Sequence, residues 1–431
     1  MTHQSSSQHM IPDATEPSPI RGRYAGADIA RLLAIIGMMA THLVQQASAE
    51  PSAFDLGAIA VVTAIAAGIS APLFAVLGGV SIVFASRRYL RENRTLAACV
   101  SLATRGLVLV LLGFALGLVD APAIVVLAYY GVATILVAPL VNVPTWVLTG
   151  IAVIIGAFGG TLNAAVRTNL GVVTEGGSLS FESFVTDVPG SLRALVLTGV
   201  YPAITWVVYL LIGMVLARLL VSLRTRRQLR TVVTRVAAAA VAIAALAQLA
   251  SAWVVAHLEL FGMSFASGSE RELIETTVMT PTFGAPFSPA LWSQLVAGPH
   301  SGSPMDILRT SAIAVAVICV CIWLCDARSR PVSGRVFEMF RSAGAASLTI
   351  YVMHVLMLGL LTQTAVLRLA ETSGSGSNVA ALPWWAIGLP ALALHVTLAL
   401  LIGLILMLLH RRGPLEALTS GIAKFVPRRL G

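Results

Sequence analysis

The stretch "AGADIARLLAIIGMMATHLV", residues 25–44, is long and apolar enough to be a membrane-spanning helix, yet it carries an aspartate, an arginine and a histidine. About 20 helical residues cross a hydrocarbon core of ~30 Å. A charged side chain at the centre of such a span costs about 2.5–3.5 kcal/mol on insertion scales. Asp28, Arg31 and His42 therefore predict a polar interior that receives them.

The rest of the chain repeats the apolar pattern. Hydrophobic residues make up 57% of the 431 and charged residues 11%, with a mean hydropathy of +0.87. A soluble domain has about a quarter of its residues charged. The reading is an all-α, polytopic integral membrane bundle of about ten transmembrane helices, near 27–46, 57–85, 97–118, 122–141, 144–162, 196–220, 234–257, 306–325, 344–366 and 382–409. Residues 1–24 read as a polar tail without a cleavable leader, 25–412 as the membrane domain and 413–431 as a basic tail.

A net charge of +9 does not point to nucleic acid, because the basic residues gather between apolar spans rather than on one soluble face. They mark topology. If the amino-terminal tail is inside, the outside segments carry only Arg167, Arg193, Arg271, Arg309 and Arg368, and nearly all other basic residues are inside. This bias predicts both termini in the cytoplasm of a multi-pass plasma-membrane protein. The excess of arginine over lysine and the abundant alanine suggest a bacterial source. Two long loops, roughly 163–195 and 258–305, then fall outside, and "ERELIETT" in the second reads as a short amphipathic helix. Cys321 and Cys325 share an apolar span that holds no acidic or histidine residue around them before it ends at Asp326, so they read as packing residues, and no metal is expected.

A helix turns once per ~3.6 residues and rises ~1.5 Å per residue. Arg31 and His42, eleven apart, thus lie within about 20° of each other around the axis and ~16 Å apart along it. Asp28 precedes Arg31 by one turn. The three predict one polar stripe facing a single internal cavity, because lipid would penalise every member. Taken singly, Asp28 and Arg31 read as a structural ion pair and His42 as an interhelical hydrogen bond; the shared face favours a functional role.

"RYAGADIARLLAIIGMMATHL" at 23–43 resembles the opening of the transmembrane acyltransferases. It is similar to the heparan-alpha-glucosaminide N-acetyltransferase catalytic domain and its bacterial relatives. More distantly, it resembles bacterial glycan O-acyltransferases, whose first helix carries Arg, ten residues, then His. "APLFAVLGGVSIVFA" at 71–85, "TGVYPAITWVVYLLIGMVLAR" at 198–218, "SLTIYVMH" at 347–354 and "RGPLE" at 412–416 agree in order. One departure matters. The glucosaminide enzymes have Asn where His42 stands and a proposed catalytic histidine just after the first helix, whereas residues 43–56 contain none. That role either moves to His42 or is absent.

The resemblance implies transfer of an acyl group, usually acetyl from cytoplasmic acetyl-CoA, to a hydroxyl or amine of a glycan or glycolipid in the cell envelope. His42 is the first expected to activate the acceptor, by taking its proton or by briefly carrying the acyl group, and His354 the second, with Asp28 and Arg31 on the stripe of His42. Arg87, Arg88 and Arg224 are expected to attract the anionic donor. Tyr201, Arg218, His300, Tyr351 and His354 are expected at the acceptor or along the cavity, while His257, His395 and His410 read as structural and His3 and His9 as tail. The expected partners are the bilayer and a carbohydrate acceptor, and self-association stays open. A transporter or flippase could use the same stripe as a substrate or proton path.

Overall fold

The computed structural model describes residues 24–45, 52–172, 175–328, 332–373, 383 and 385–429. Among these no strand occurs, and the chain is a bundle of helices. The principal ones are α1 (Ala25–Val44), α2 (Ala53–Ile65), α3 (Ser70–Arg91), α4 (Thr95–Leu116), α5 (Leu127–Val137), α6 (Thr145–Leu170) and α7 (Ala203–Ser222). There follow α8 (Arg226–Ala256), α9 (Gly268–Val278), α10 (Pro304–Cys325), α11 (Arg335–Ala345), α12 (Ser347–Ser373), α13 (Gly388–Leu408) and α14 (Pro414–Arg429). Among the described residues, nine segments are long and apolar enough to cross a membrane, with α2 and α3 taken as one. The protein is a multi-pass membrane protein.

Two expected spans differ from the structure. The stretch 57–85 divides into α2 and α3, because Gly68 takes φ +70° and its Cα side lies hard against Pro299. The stretch 122–141 yields only the short α5, continued by a tight turn of helix at Ala138–Asn142. Before it, residues 118–126 run without regular helix, and protein groups satisfy the last two donors of the segment: Val125 N–H donates to Ser178 Oγ, and Val126 N–H to the Tyr351 hydroxyl oxygen. Buried irregular backbone of this kind needs such partners in an apolar surrounding. Asn142 then donates to Thr95 at the start of α4, so the chain does return to its starting end. Among the described residues that leaves nine candidate spans and the shorter apolar α5 where about ten helices were expected.

α1 sits in the middle of the bundle and packs against α3, α10, α11 and α13. Its first N–H groups, on Ala25 and Gly26, donate to the Asp326 carboxylate at 2.9 and 2.8 Å, so a residue 300 positions away caps it. Tyr24, placed in the tail by the sequence, is buried and donates its hydroxyl to Leu220 O. At Gly344, on α11, an added Cβ would come within 1.9 Å of Asp28 O, so the two backbones touch at the level of the ionic residues. The two long loops are pinned to each other by Arg167 of α6, which donates to Phe283 O at 3.1 Å and Gly199 O at 2.9 Å. "ERELIETT" forms α9, and the basic carboxy-terminal segment is helical over Pro414–Arg429, α14.

Candidate active site

The amino-terminal end of α1 opens into a cavity of about 1060 Å³, walled by α1, α3, α4, α11 and α14. Asp28 and Arg31 stand at its inner limit, 2% and 8% exposed, joined at 2.5 Å through Arg31 Nη1. Arg31 Nη2 donates to Ser81 Oγ at 2.7 Å, and Ser81 passes its own hydrogen to Leu77 O. α1 and α3 thus hold the guanidinium from two sides. Further out, Glu92 pairs with Arg88 and Arg94, and Glu338 with Arg341. Glu416 accepts from Leu348 N–H and from the Thr349 hydroxyl at the start of α12. Among the described residues, Arg105, Arg411, Arg412 and Lys424 therefore line the cavity with no carboxylate at ion-pair distance. The cavity carries an excess of positive charge aimed at an anion.

Three turns beyond Arg31, α1 presents a different arrangement. His42 Nδ1 lies 3.2 Å from His354 Nε2 of α12, and His354 Nδ1 lies 2.7 Å from His395 Nδ1 of α13. The His42 and His354 rings are nearly parallel, whereas His354 meets His395 edge to face. Exposure falls along the series: His42 is half-buried, His354 1% exposed and His395 fully enclosed. With Nδ1 engaged, His42 keeps Nε2 for a reactant, and imidazole is the commonest general base in acyl transfer.

A family model described as an acyltransferase domain matches residues 24–409. The chain belongs to that family. It is a transmembrane acyltransferase, which displaces the carrier reading that the same polar stripe would also have served. No curated protein and no solved structure matches the chain.

The acyltransferase distributes the expected site residues over three places. Asp28, Arg31 and Arg88 line the basic cavity; His42 and His354 meet at the histidine series; Tyr201 and His300 meet near the opposite end, ring to ring at 5.6 Å. The stripe does not face one cavity, since His42 is absent from the walls of the basic one. Apolar packing separates them: between the two, Leu32, Ile35, Met38 and Met39 of α1 are buried in the core.

The space between Tyr201, His300, Tyr209 and Asp306 is about 20 Å³, enough for a single water. His300 stacks on Phe283, and burial lowers its pKa to about 4, with the positive charge of Arg309 a smaller cause. It is therefore neutral near pH 7.

Four other expectations fall elsewhere. Arg87 is half-buried outside the cavity walls, and Arg224 is exposed beside the start of α8. Arg218 donates to Val143 O at 2.5 Å and Val141 O at 2.8 Å, tying α7 to the turn before α6. Tyr351 holds the irregular segment before α5 through Val126.

The sequence reading placed Arg105, Arg341, Arg411, Arg412 and Lys424 with the topological charges, and His395 with structural histidines. The structure brings the former together around one cavity and joins the latter to His42 through His354. Local spacing signals neither grouping, because each depends on which helices become neighbours.

Proposed function

We propose that this acyltransferase moves an acyl group, acetyl in the first instance, from acyl-CoA at the basic end to a hydroxyl or amine of a glycan or glycolipid at the other end. The basic end would face the cytoplasm of a bacterium, as the distribution of arginine favours. The observation that carries this reading is one helix, α1, bordering a wide basic cavity at Arg31 and holding a half-buried imidazole ~16 Å further on. Coenzyme A has the matching division: phosphates for Arg105, Arg411, Arg412 and Lys424, and a long arm that carries the thioester away from them. The likeness of "RYAGADIARLLAIIGMMATHL" to the glucosaminide N-acetyltransferases and glycan O-acyltransferases supports a sugar as acceptor.

In the reaction, His42 Nε2 takes the proton from the acceptor O–H or N–H as that atom attacks the thioester carbonyl. The new C–O or C–N bond forms, the C–S bond breaks, and the coenzyme A thiolate leaves with the proton returned by His42.

The test is acetyl-CoA turnover by detergent-purified protein, with acetyl-CoA binding followed separately. His42→Ala should lower kcat by about 10²–10⁴-fold, the usual contribution of a positioned base, and leave donor binding nearly unchanged. Normal turnover by His42→Ala would move the base elsewhere. A wild-type protein that neither binds nor turns over any acyl-CoA would remove the donor assignment.

A further inference from the structure

His395 is a buried imidazole on α13 that no step above uses, and it ends a series reaching the proposed base. Each neutral imidazole has one N–H and one bare nitrogen. Two contacts, His42 Nδ1 to His354 Nε2 and His354 Nδ1 to His395 Nδ1, must each hold one proton to be hydrogen bonds. Only two neutral arrangements satisfy both. In the first, His395 Nδ1–H donates to His354, His354 Nε2–H donates to His42, and His42 Nε2 carries an N–H. In the second, every proton is shifted by one place: His42 Nδ1–H donates to His354, His354 Nδ1–H donates to His395, and His42 Nε2 is bare. The far atom, His395 Nε2, is buried with no partner among the described residues, and it is protonated only in the second arrangement.

On the proposed reading of His42 as base, we propose that His395 is a positioning residue that acts on His42 through His354. The three rings form one relay, and the proton at His395 Nε2 decides whether His42 Nε2 is a bare base or an N–H donor. Because that end is enclosed, no passing water exchanges its proton freely, so the tautomer of the half-buried ring is governed from the interior. Other titratable groups on the packed elements lie apart. Asp28 and Arg31 of α1, Arg88 of α3 and Glu338 and Arg341 of α11 border the basic cavity, Asp306 and Arg309 of α10 pair with each other, Arg335 starts α11, Tyr351 is turned to Val126, and His410 lines that same cavity from beyond α13. His300, outside the relay, also lies within electrostatic range of His42.

The experiment uses the full chain in detergent, with ¹⁵N-labelled histidine and with acetyl-CoA as the probe. The wild type should show two N–H···N couplings through the three rings. His395→Asn should remove one coupling and move the His42 ¹⁵N shifts toward a bare Nε2, because the amide oxygen accepts from His354 Nδ1–H and holds the second arrangement. Unchanged His42 shifts in that variant would overturn the relay.

In turnover, His395→Leu should lower kcat by ~10–100-fold, the scale on which groups that orient a working imidazole act. The KM for acetyl-CoA should not move, and the acid limb of the kcat profile should shift. His395→Asn, which keeps a hydrogen-bonding group near His354 Nδ1, should recover most of the rate. Wild-type kcat and pH profile in His395→Leu, or equal losses in both variants with His42 shifts unaltered, would leave His395 a packing residue. If His395→Leu does not fold, His395→Asn and the couplings decide the matter. Couplings present in a wild-type protein that turns over no acetyl-CoA would count against the donor reading and not against the relay.

Discussion

Arg31 spends both arms of its guanidinium inside the protein, one on Asp28 and one on Ser81. Removing one member of a buried ion pair costs about 3–5 kcal/mol, because the other is left in low dielectric. Arg31→Ala should therefore lower thermal stability, while the double variant Asp28→Asn/Arg31→Gln, which leaves no lone charge, should recover much of the loss. Differential scanning in detergent reads both, and equal midpoints for the single and double variants would refute the argument. Arg31→Lys tests the fork separately. An ammonium cannot reproduce the planar fork that spans Asp28 and Ser81, so the thermal midpoint should fall, but by less than in Arg31→Ala, because a positive charge still faces Asp28. At this scale the sequence was legible where helical spacing is local: Asp28 and Arg31 share a face and do meet. The link from His354 to His395 was not, because the two are 41 residues apart and join only when α12 and α13 lie side by side.

Between elements, the close approach of α11 to α1 places the ionic pair against a backbone neighbour. A methyl group at Gly344 would meet the carbonyl oxygen of Asp28, and backbone yields less readily than a flexible side chain. Overpacking of this kind costs about 1–3 kcal/mol. Gly344→Ala should accordingly lower the thermal midpoint, whereas Gly421→Ala on the open face of α14 should leave it unchanged or raise it slightly. Equal midpoints would mean that α11 shifts without cost. The long apolar helices were read correctly because hydropathy over ~20 residues reports a span directly. The break at Gly68 and the short α5 escaped, since both depend on local backbone geometry and on partners for irregular N–H groups. Hydropathy registers neither.

Over the whole molecule, the proposed orientation can be tested with an impermeant thiol reagent on intact cells. In a Cys99→Ser background, Ser269→Cys on α9 should be labelled from outside, and Thr225→Cys at the start of α8 only after lysis. The reverse pattern would invert the protein and place the basic cavity on the outer side. The fold class was legible throughout, from composition alone, while the separation of the stripe into a cavity and a histidine series needed the packing of buried α1 residues between them. That separation has an electrical consequence. A water-accessible hollow reaching Arg31 brings the potential of one bath deep into the protein, so the membrane voltage falls mainly across the remaining apolar thickness. One elementary charge crossing the full drop gains or loses about 2.3 kcal/mol per 100 mV. On the reading of His42 as base, its protons would move inside that compressed field, and an energised membrane would bias their position in a way that detergent micelles cannot.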